Sequence, residues 1–177
     1  MKRTKKSYHS LNKRFVFLPI LAFIFLLATA QTTVSVDQTS VVPPVALIGE
    51  YETAFASLAR ENPGILLGVC GNDMDIAYEK WTDMLVAMEE YAESIDFDIN
   101  GLKTYLYIFW GADGSFKHLA FYPKANSRNI PYEELLAFFK AFVKDFQMPI
   151  KATEGYSHYG SASFPTQARP EYRAKKD

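Results

Sequence analysis

Leu102–Tyr122, LKTYLYIFWGADGSFKHLAFY, reads as two strands joined by a tight turn at Gly111-Ala112-Asp113-Gly114. Successive side chains of a strand point to opposite faces. Leu102, Thr104, Leu106, Ile108 and Trp110 therefore share one face, and Lys103, Tyr105, Tyr107 and Phe109 the other. Both sets are largely apolar or aromatic, which suits a pleated surface covered at least partly on both sides. Asp113-Gly114 supplies the positive φ angles of a short connection. In the returning run Phe116, His118, Ala120 and Tyr122 alternate with Lys117, Leu119 and Phe121. Pro123 has no N–H to donate, so the pairing is expected to stop there.

The flanking segments read as elements that cover this hairpin. Upstream, Ala77, Trp81, Met84/Leu85, Met88, Tyr91/Ala92 and Ile95 form a helical stripe over Met74–Ile95, with Asn72 or Asp73 as the cap. Before it, Leu47, Tyr51, Phe55 and Leu58 predict a helix over Val45–Arg60, stopped by Asn62-Pro63-Gly64. The short apolar run Ile65–Cys70 fits either a strand or the start of a helix. Downstream, Pro131 suits a first helical turn. Leu135, Phe138/Phe139, Phe142 and Phe146 then repeat at helical spacing until Gln147-Met148-Pro149. Tyr156–Phe164 alternates as a last strand closed by Pro165. The expected architecture is α+β: a small, mainly antiparallel three-stranded sheet in the order strand, strand, helix, strand. The long preceding helix packs on it, and at least one edge is exposed.

The N-terminus has a different grammar. All charged residues among the first thirty are basic: Lys2, Arg3, Lys5, Lys6, Lys13 and Arg14. An unbroken apolar run, Phe15–Ala30, follows and ends in Ala28-Thr29-Ala30, the layout of a secretory signal cleaved at Ala30/Gln31. The rival reading is an uncleaved anchor, although a spanning helix needs about 20 apolar residues. The expected organisation is a signal over 1–30, an extended lead-in over 31–44, one domain over 45–165 and a flexible tail over 166–177. Lead-in residues Val34, Val36, Val41 and Val42 leave an edge strand open there. Removing the six leader cations from the 19 basic residues leaves 13 against 20 acidic ones, a net of −7. That sign disfavours nucleic acid, whose binding depends on surplus positive charge. The chain has 22% charged and 49% hydrophobic residues, within the range of folded domains, and 15% aromatics supply a dense core.

From about Ile99 to Pro165 the chain resembles the C-terminal domain of the TonB energy-transducer family. Gly101–Phe109 looks like that family's first strand, Asp113-Gly114 like its turn and Phe116–Phe121 like its second strand. Asn126–Asn129 is similar to its loop and Glu133–Phe146 to its helix; Pro149 and Ser157–Phe164 follow in order. The resemblance implies a periplasmic module that recognises a partner by adding an edge strand. It does not imply energy transduction, because the apolar leader reads as a cleavable signal.

Several side chains are candidates for chemistry. Cys70, the one cysteine, is either a thiol activated before a helix N-terminus or a small buried apolar residue. His118 and His158 sit on different strands and would need a nucleophile or carboxylate beside them for catalysis. The carboxylates of Asn72-Asp73-Met74-Asp75 lack the register of a calcium loop and read as caps. Arg128, between Asn126 and Asn129, either takes an anion ahead of a helix N-terminus or pairs with Glu133 or Glu134. Tyr105, Tyr107, Phe109, Tyr156 and Tyr159 line either a core or a half-wet surface, with Phe109 favouring core. No phosphate loop, metal cluster or catalytic set stands out, and no cofactor is expected. The expectation is an exported, periplasmic or secreted, non-enzymatic module that binds a protein partner at a sheet edge. Candidate contacts are Arg128, Asn126, Asn129, Tyr156, His158 and Tyr159. The alternatives are a small-ligand binder or hydrolase-like enzyme using Cys70 with His118 or His158, and a purely structural envelope protein.

Overall fold

The computed structural model describes residues 41–169; the expected signal over 1–30, the expected lead-in through residue 40 and the expected tail from residue 170 lie outside the described residues. In chain order the elements are β1 (Val45–Leu47), α1 (Glu52–Glu61), β2 (Gly64–Ile65), α2 (Leu66–Val69), α3 (Met74–Ser94), β3 (Lys103–Trp110), β4 (Phe116–Pro123), α4 (Tyr132–Asp145) and β5 (Tyr156–Ser163). The fold is α+β, but the sheet has five strands in the order β1-β4-β3-β5-β2 and is mixed rather than a three-stranded antiparallel one. β3 pairs antiparallel with both β4 and β5, while β1 joins β4, and β2 joins β5, in parallel.

The two additional strands are too short to show periodicity in the sequence. Val45-Ala46-Leu47 pairs with Leu119-Ala120-Phe121, so the helix expected from Val45 begins only at Glu52. The pairing is extended outward by Leu119 N–H donating to Pro44 O and Ile48 N–H to Phe121 O. The ambiguous run Ile65–Cys70 is divided: Gly64-Ile65 pairs with Tyr156-Ser157, and Leu66–Val69 then makes a single helical turn.

The main core lies on the face that carries Leu106, Ile108 and Trp110 of β3, Leu119 and Phe121 of β4, and Tyr156 and Ala162 of β5. α3 covers it with Trp81, Met84, Leu85, Met88 and Ala92, and α4 with Leu135, Phe138, Phe139 and Phe142. Fully burying side chains of this size stabilises the fold by about 1.5–3 kcal/mol each. α3 starts where Asp73 accepts from Asp75 N–H and Ile76 N–H at 2.9 and 3.0 Å, the capping geometry expected of that residue.

One residue changes face. The β3–β4 register shifts between Phe109 and Trp110, so Trp110 opposes Phe116 while Phe109 opposes His118. This irregularity carries Phe116 to the main core, against Trp110, Phe142 and Phe146, instead of the side of His118 that simple alternation predicts. At the adjoining hairpin tip Gly114 has φ 85°, and a β-carbon there would fall 2.1 Å from Met148 O. Met148 N–H donates to Gly114 O at 3.0 Å, which fixes the chain leaving α4 to the hairpin.

The opposite face is covered only in part. α1 lays Phe55 on Phe109 and Ala120, with Val42 and Ala46 beside them, and forms a smaller second core. Beyond α1, Tyr105 is 38%, Tyr122 54% and Tyr159 56% exposed. The tail expected from residue 166 is held in place as far as Arg169. Thr166 N–H donates to Glu89, and Arg169 bonds Glu89 at 2.6 Å and Glu93 at 2.7 Å.

Candidate functional site

The site is set by which way the backbone of β5 points. Phe164 directs its N–H and C=O toward β3, donating to Leu102 O and accepting from Gly101 N–H. Backbone groups alternate sides along a strand, so Ala162, Gly160 and His158 also face β3, where the register is unbroken. Ser157, Tyr159, Ser161 and Ser163 face outward. β2 meets β5 only at Tyr156 and Ser157. Among the described residues, the outward N–H and C=O groups of Tyr159, Ser161 and Ser163 therefore have no strand partner.

Beside this border lies a cleft of about 590 Å³, lined by Ile65, Leu67, Met74, Ala77, Tyr78, Trp81, Tyr107, Ser157, His158 and Tyr159. It straddles the sheet edge. β2 closes one end, the N-terminal half of α3 forms the roof, and the tyrosines of the partly covered face form the far lip. Ile65 is 54% exposed and Met74 and Tyr78 are each 67% exposed, so three apolar side chains turn toward solvent around one opening. Its volume lies in the range of small-ligand sites, roughly 300–1,000 Å³.

His158 stands between cleft and core. Its ring lies 4.6 Å from the Trp81 ring, centroid to centroid, at an interplanar angle of 54°. Burial holds its pKa below the usual imidazole value, which keeps the ring neutral near pH 7. Tyr159 stacks on Tyr105 at 5.8 Å and meets Tyr107 edge-on at 5.9 Å. The Lys124 ammonium sits 4.6 Å from the centre of the Tyr105 ring and bonds Ser161 Oγ.

The residues singled out in the sequence are distributed over several places. His158 and Tyr159 line the cleft. Tyr156 is fully buried against Trp110, with ring centroids 5.2 Å apart, so it is a core residue and not a surface contact. Burial pushes its hydroxyl up to about 12, and neither that hydroxyl nor Trp110 Nε1 finds a hydrogen-bond partner among the described residues. Arg128 pairs with Asp98 and donates to Asn100 O at 3.0 Å, rather than pairing with Glu133 or Glu134. The Asn100 amide and this guanidinium hold the Asp98 carboxyl below its ordinary value. Arg128 donates its N–H to Gly101 O, at the start of β3, and Asn126 and Asn129 are exposed in the same loop. That end of the sheet matches Ser163, five residues along β5 from His158, or roughly 17 Å.

Cys70 and the two histidines are not brought together. Cys70 ends α2, half-buried, and burial raises its thiol above the ordinary value instead of lowering it. His118 lies on the other face of the sheet, its Nδ1 3.1 Å from Pro43 O and its ring edge-on to Phe55. Among the described residues no group of three or more His, Cys, Asp or Glu is placed to hold a metal ion, and no helix is long and apolar enough to cross a membrane.

The cleft residues that sequence reasoning missed are Ile65, Leu67, Met74 and Tyr78. One signal was present: Met74 and Tyr78, at i and i+4, are apolar yet sit beside the buried stripe of α3 rather than in it. No family model matches the chain, and no curated protein or solved structure matches it.

Proposed function

We propose that this is an exported, non-enzymatic binding module that takes an extended segment of a protein partner onto the outer border of β5. The observation that carries this reading is the mismatch between an eight-residue strand and its two-residue neighbour, with an apolar cleft beside the uncovered length. Strand addition draws affinity from main-chain hydrogen bonds and selectivity from pockets for alternate side chains. The border supplies the first and the cleft the second. The basic and apolar leader supports export. The order β3, Asp113-Gly114 turn, β4, α4, Pro149, β5 is also the order implied by the resemblance to the TonB C-terminal domain.

The test is site-specific photo-crosslinking in the native cell. A benzophenone side chain at Ser163 samples the border; one at Lys140, on the outer side of α4, is the control. The reading expects protein adducts from Ser163 that disappear when Ser161→Pro is added, because proline removes an outward N–H. Adducts from Lys140 alone, or adducts at Ser163 indifferent to Ser161→Pro, would overturn it.

A second reading is a small apolar ligand in the same cleft, favoured by its volume and by Trp81 and His158 at its base. Such a ligand would protect Trp81 and Tyr78 from modification and leave the outward amides of Tyr159, Ser161 and Ser163 exchanging freely.

A further inference from the structure

The cleft beside the border contains an imidazole that the fold leaves uncommitted. Neither ring nitrogen of His158 bonds another of the described residues, whereas Nδ1 of His118 lies 3.1 Å from Pro43 O. His158 is half-buried and packs its ring on Trp81. Its Nε2 stands beside Gly160, where a β-carbon would fall 3.0 Å from it. Burial keeps this ring neutral near pH 7, so it offers one N–H donor and one lone-pair acceptor.

The walls around it select against charge and in favour of rings. Among the lining residues there is no carboxylate, ammonium or guanidinium; the other polar groups are the hydroxyls of Ser157 and three tyrosines. A charged guest would shed its water there with no counter-ion to replace it. Tyr78, Trp81, Tyr107 and Tyr159 instead present aromatic surface, and Met74 adds a thioether. Aromatic pairs and sulfur–aromatic contacts contribute beyond the area they bury.

The border brings a guest side chain to this spot. In a strand added to β5, the residue opposite Gly160 shares the face of His158 and Gly160, beneath Trp81 of α3. Gly160 has no side chain of its own to occupy that space. His158 is then the guest's diagonal neighbour, about 7–8 Å away, a separation that aromatic side chains cross. Of the three large aromatic side chains, phenylalanine leaves the imidazole unpaired and the indole of tryptophan only donates. A phenol both donates and accepts, so it pairs with either nitrogen of His158, whichever carries the proton.

Resting on the strand-addition reading above, we infer that the cleft is an anchor pocket for a tyrosine of the bound segment. The phenol ring lies among the aromatic walls and its hydroxyl bonds the His158 imidazole, while the main chain on either side pairs with β5. His158 is the residue that sets the preference for tyrosine over phenylalanine.

Four labelled peptides test this against the full chain by fluorescence anisotropy: Thr-Val-Thr-Tyr-Thr-Val-Thr, and the same peptide with phenylalanine, alanine or lysine in place of tyrosine. The tyrosine peptide is expected to bind roughly fivefold more tightly than the phenylalanine one, the worth of one net hydrogen bond, and roughly tenfold or more above the alanine and lysine ones. His158→Phe keeps a ring on Trp81 and removes both nitrogens, so it should bring the tyrosine and phenylalanine peptides to equal affinity. A readout that needs no variant is the nitrogen-15 resonance pair of the His158 ring, which should move further with the tyrosine peptide than with the phenylalanine one. Equal wild-type affinity for tyrosine and phenylalanine, a preference that survives His158→Phe, equal movement of the ring resonances, or lysine binding as tightly as tyrosine overturns the tyrosine pocket and leaves strand addition standing. Amide exchange separates the other failure. If none of the peptides slows exchange at Tyr159, Ser161 and Ser163, strand addition itself is wrong, and the inference falls with it.

Discussion

Gly160 is the floor on which Trp81 rests. A β-carbon at this position would fall 2.6 Å from Trp81 Cζ2 and 3.0 Å from His158 Nε2. The middle of β5 must therefore be bare on that face for α3 to pack as it does. Neither the indole ring nor the packed imidazole beside it can yield cheaply. Gly160→Ala should lower stability by about 1–3 kcal/mol, the ordinary result of overpacking, read as a fall in the urea midpoint with the slope preserved.

His158 makes stability depend on pH in a definite direction. Burial holds its folded-state pKa below the ordinary 6.5. On acidification the unfolded chain takes up a proton that the folded chain refuses, so this contribution is intact above 6.5 and is lost as pH falls toward the folded value. His158→Gln should be less stable at all pH values, through lost packing on Trp81. It should also show a shallower loss than wild type between about pH 8 and about pH 5. Urea midpoints of both proteins across that range decide it; parallel curves would refute the assignment.

Glu89 presents the opposite case. It is 4% exposed, bonded to Thr166 N–H and to Arg169, yet its carboxyl is raised above its ordinary value because desolvation outweighs those partners. Its folded pKa exceeds the unfolded one, so the stability gained from holding the proton is present at low pH and is lost as pH rises through the folded value. Glu89→Gln keeps the shape and one acceptor for Thr166 N–H but turns its amide NH2 toward Arg169, and should cost about 1 kcal/mol at neutral pH. Glu89→Ala strands the buried Thr166 amide and should cost about 2–3 kcal/mol. Thermal melts of the two variants should therefore separate clearly.

The outward orientation of alternate residues in β5 predicts unequal tolerance of proline. Ala162 faces its N–H toward β3 and is 1% exposed; Ser161 faces outward. Ala162→Pro removes a ladder bond from the centre of the sheet and should cost about 3 kcal/mol or more, whereas Ser161→Pro should cost only a fraction of that. Soluble yield and denaturant midpoints test the ranking, and the reverse order would mean that the border is not where the register places it.

The hairpin, the long helix, α4 and the last strand were legible because each repeats its hydrophobic pattern several times. β1 and β2 were not, since strands of three and two residues have no period, and Val45-Ala46-Leu47 lies in a run that also fits a helix. The face of Phe116 was misread because a register shift leaves no mark in an alternating run. The candidate site was legible in half. His158 and Tyr159 stood out by residue type, whereas Met74 and Tyr78 acquire meaning only when α3 is set beside the border. Arg128 turned upstream to Asp98 because Asn126–Asn129 folds back onto Gly101, a long-range contact that local spacing does not reveal.

The placement of the two tryptophans gives this protein a pair of built-in optical reporters. Trp110 is sealed at 0% exposure in the middle of the sheet, so its emission follows unfolding alone. Trp81 lines the cleft against an imidazole that is neutral near pH 7, so its emission responds both to whatever enters and to that ring gaining a proton. A Trp110→Phe variant would leave a label-free gauge of occupancy, against which any partner can be titrated.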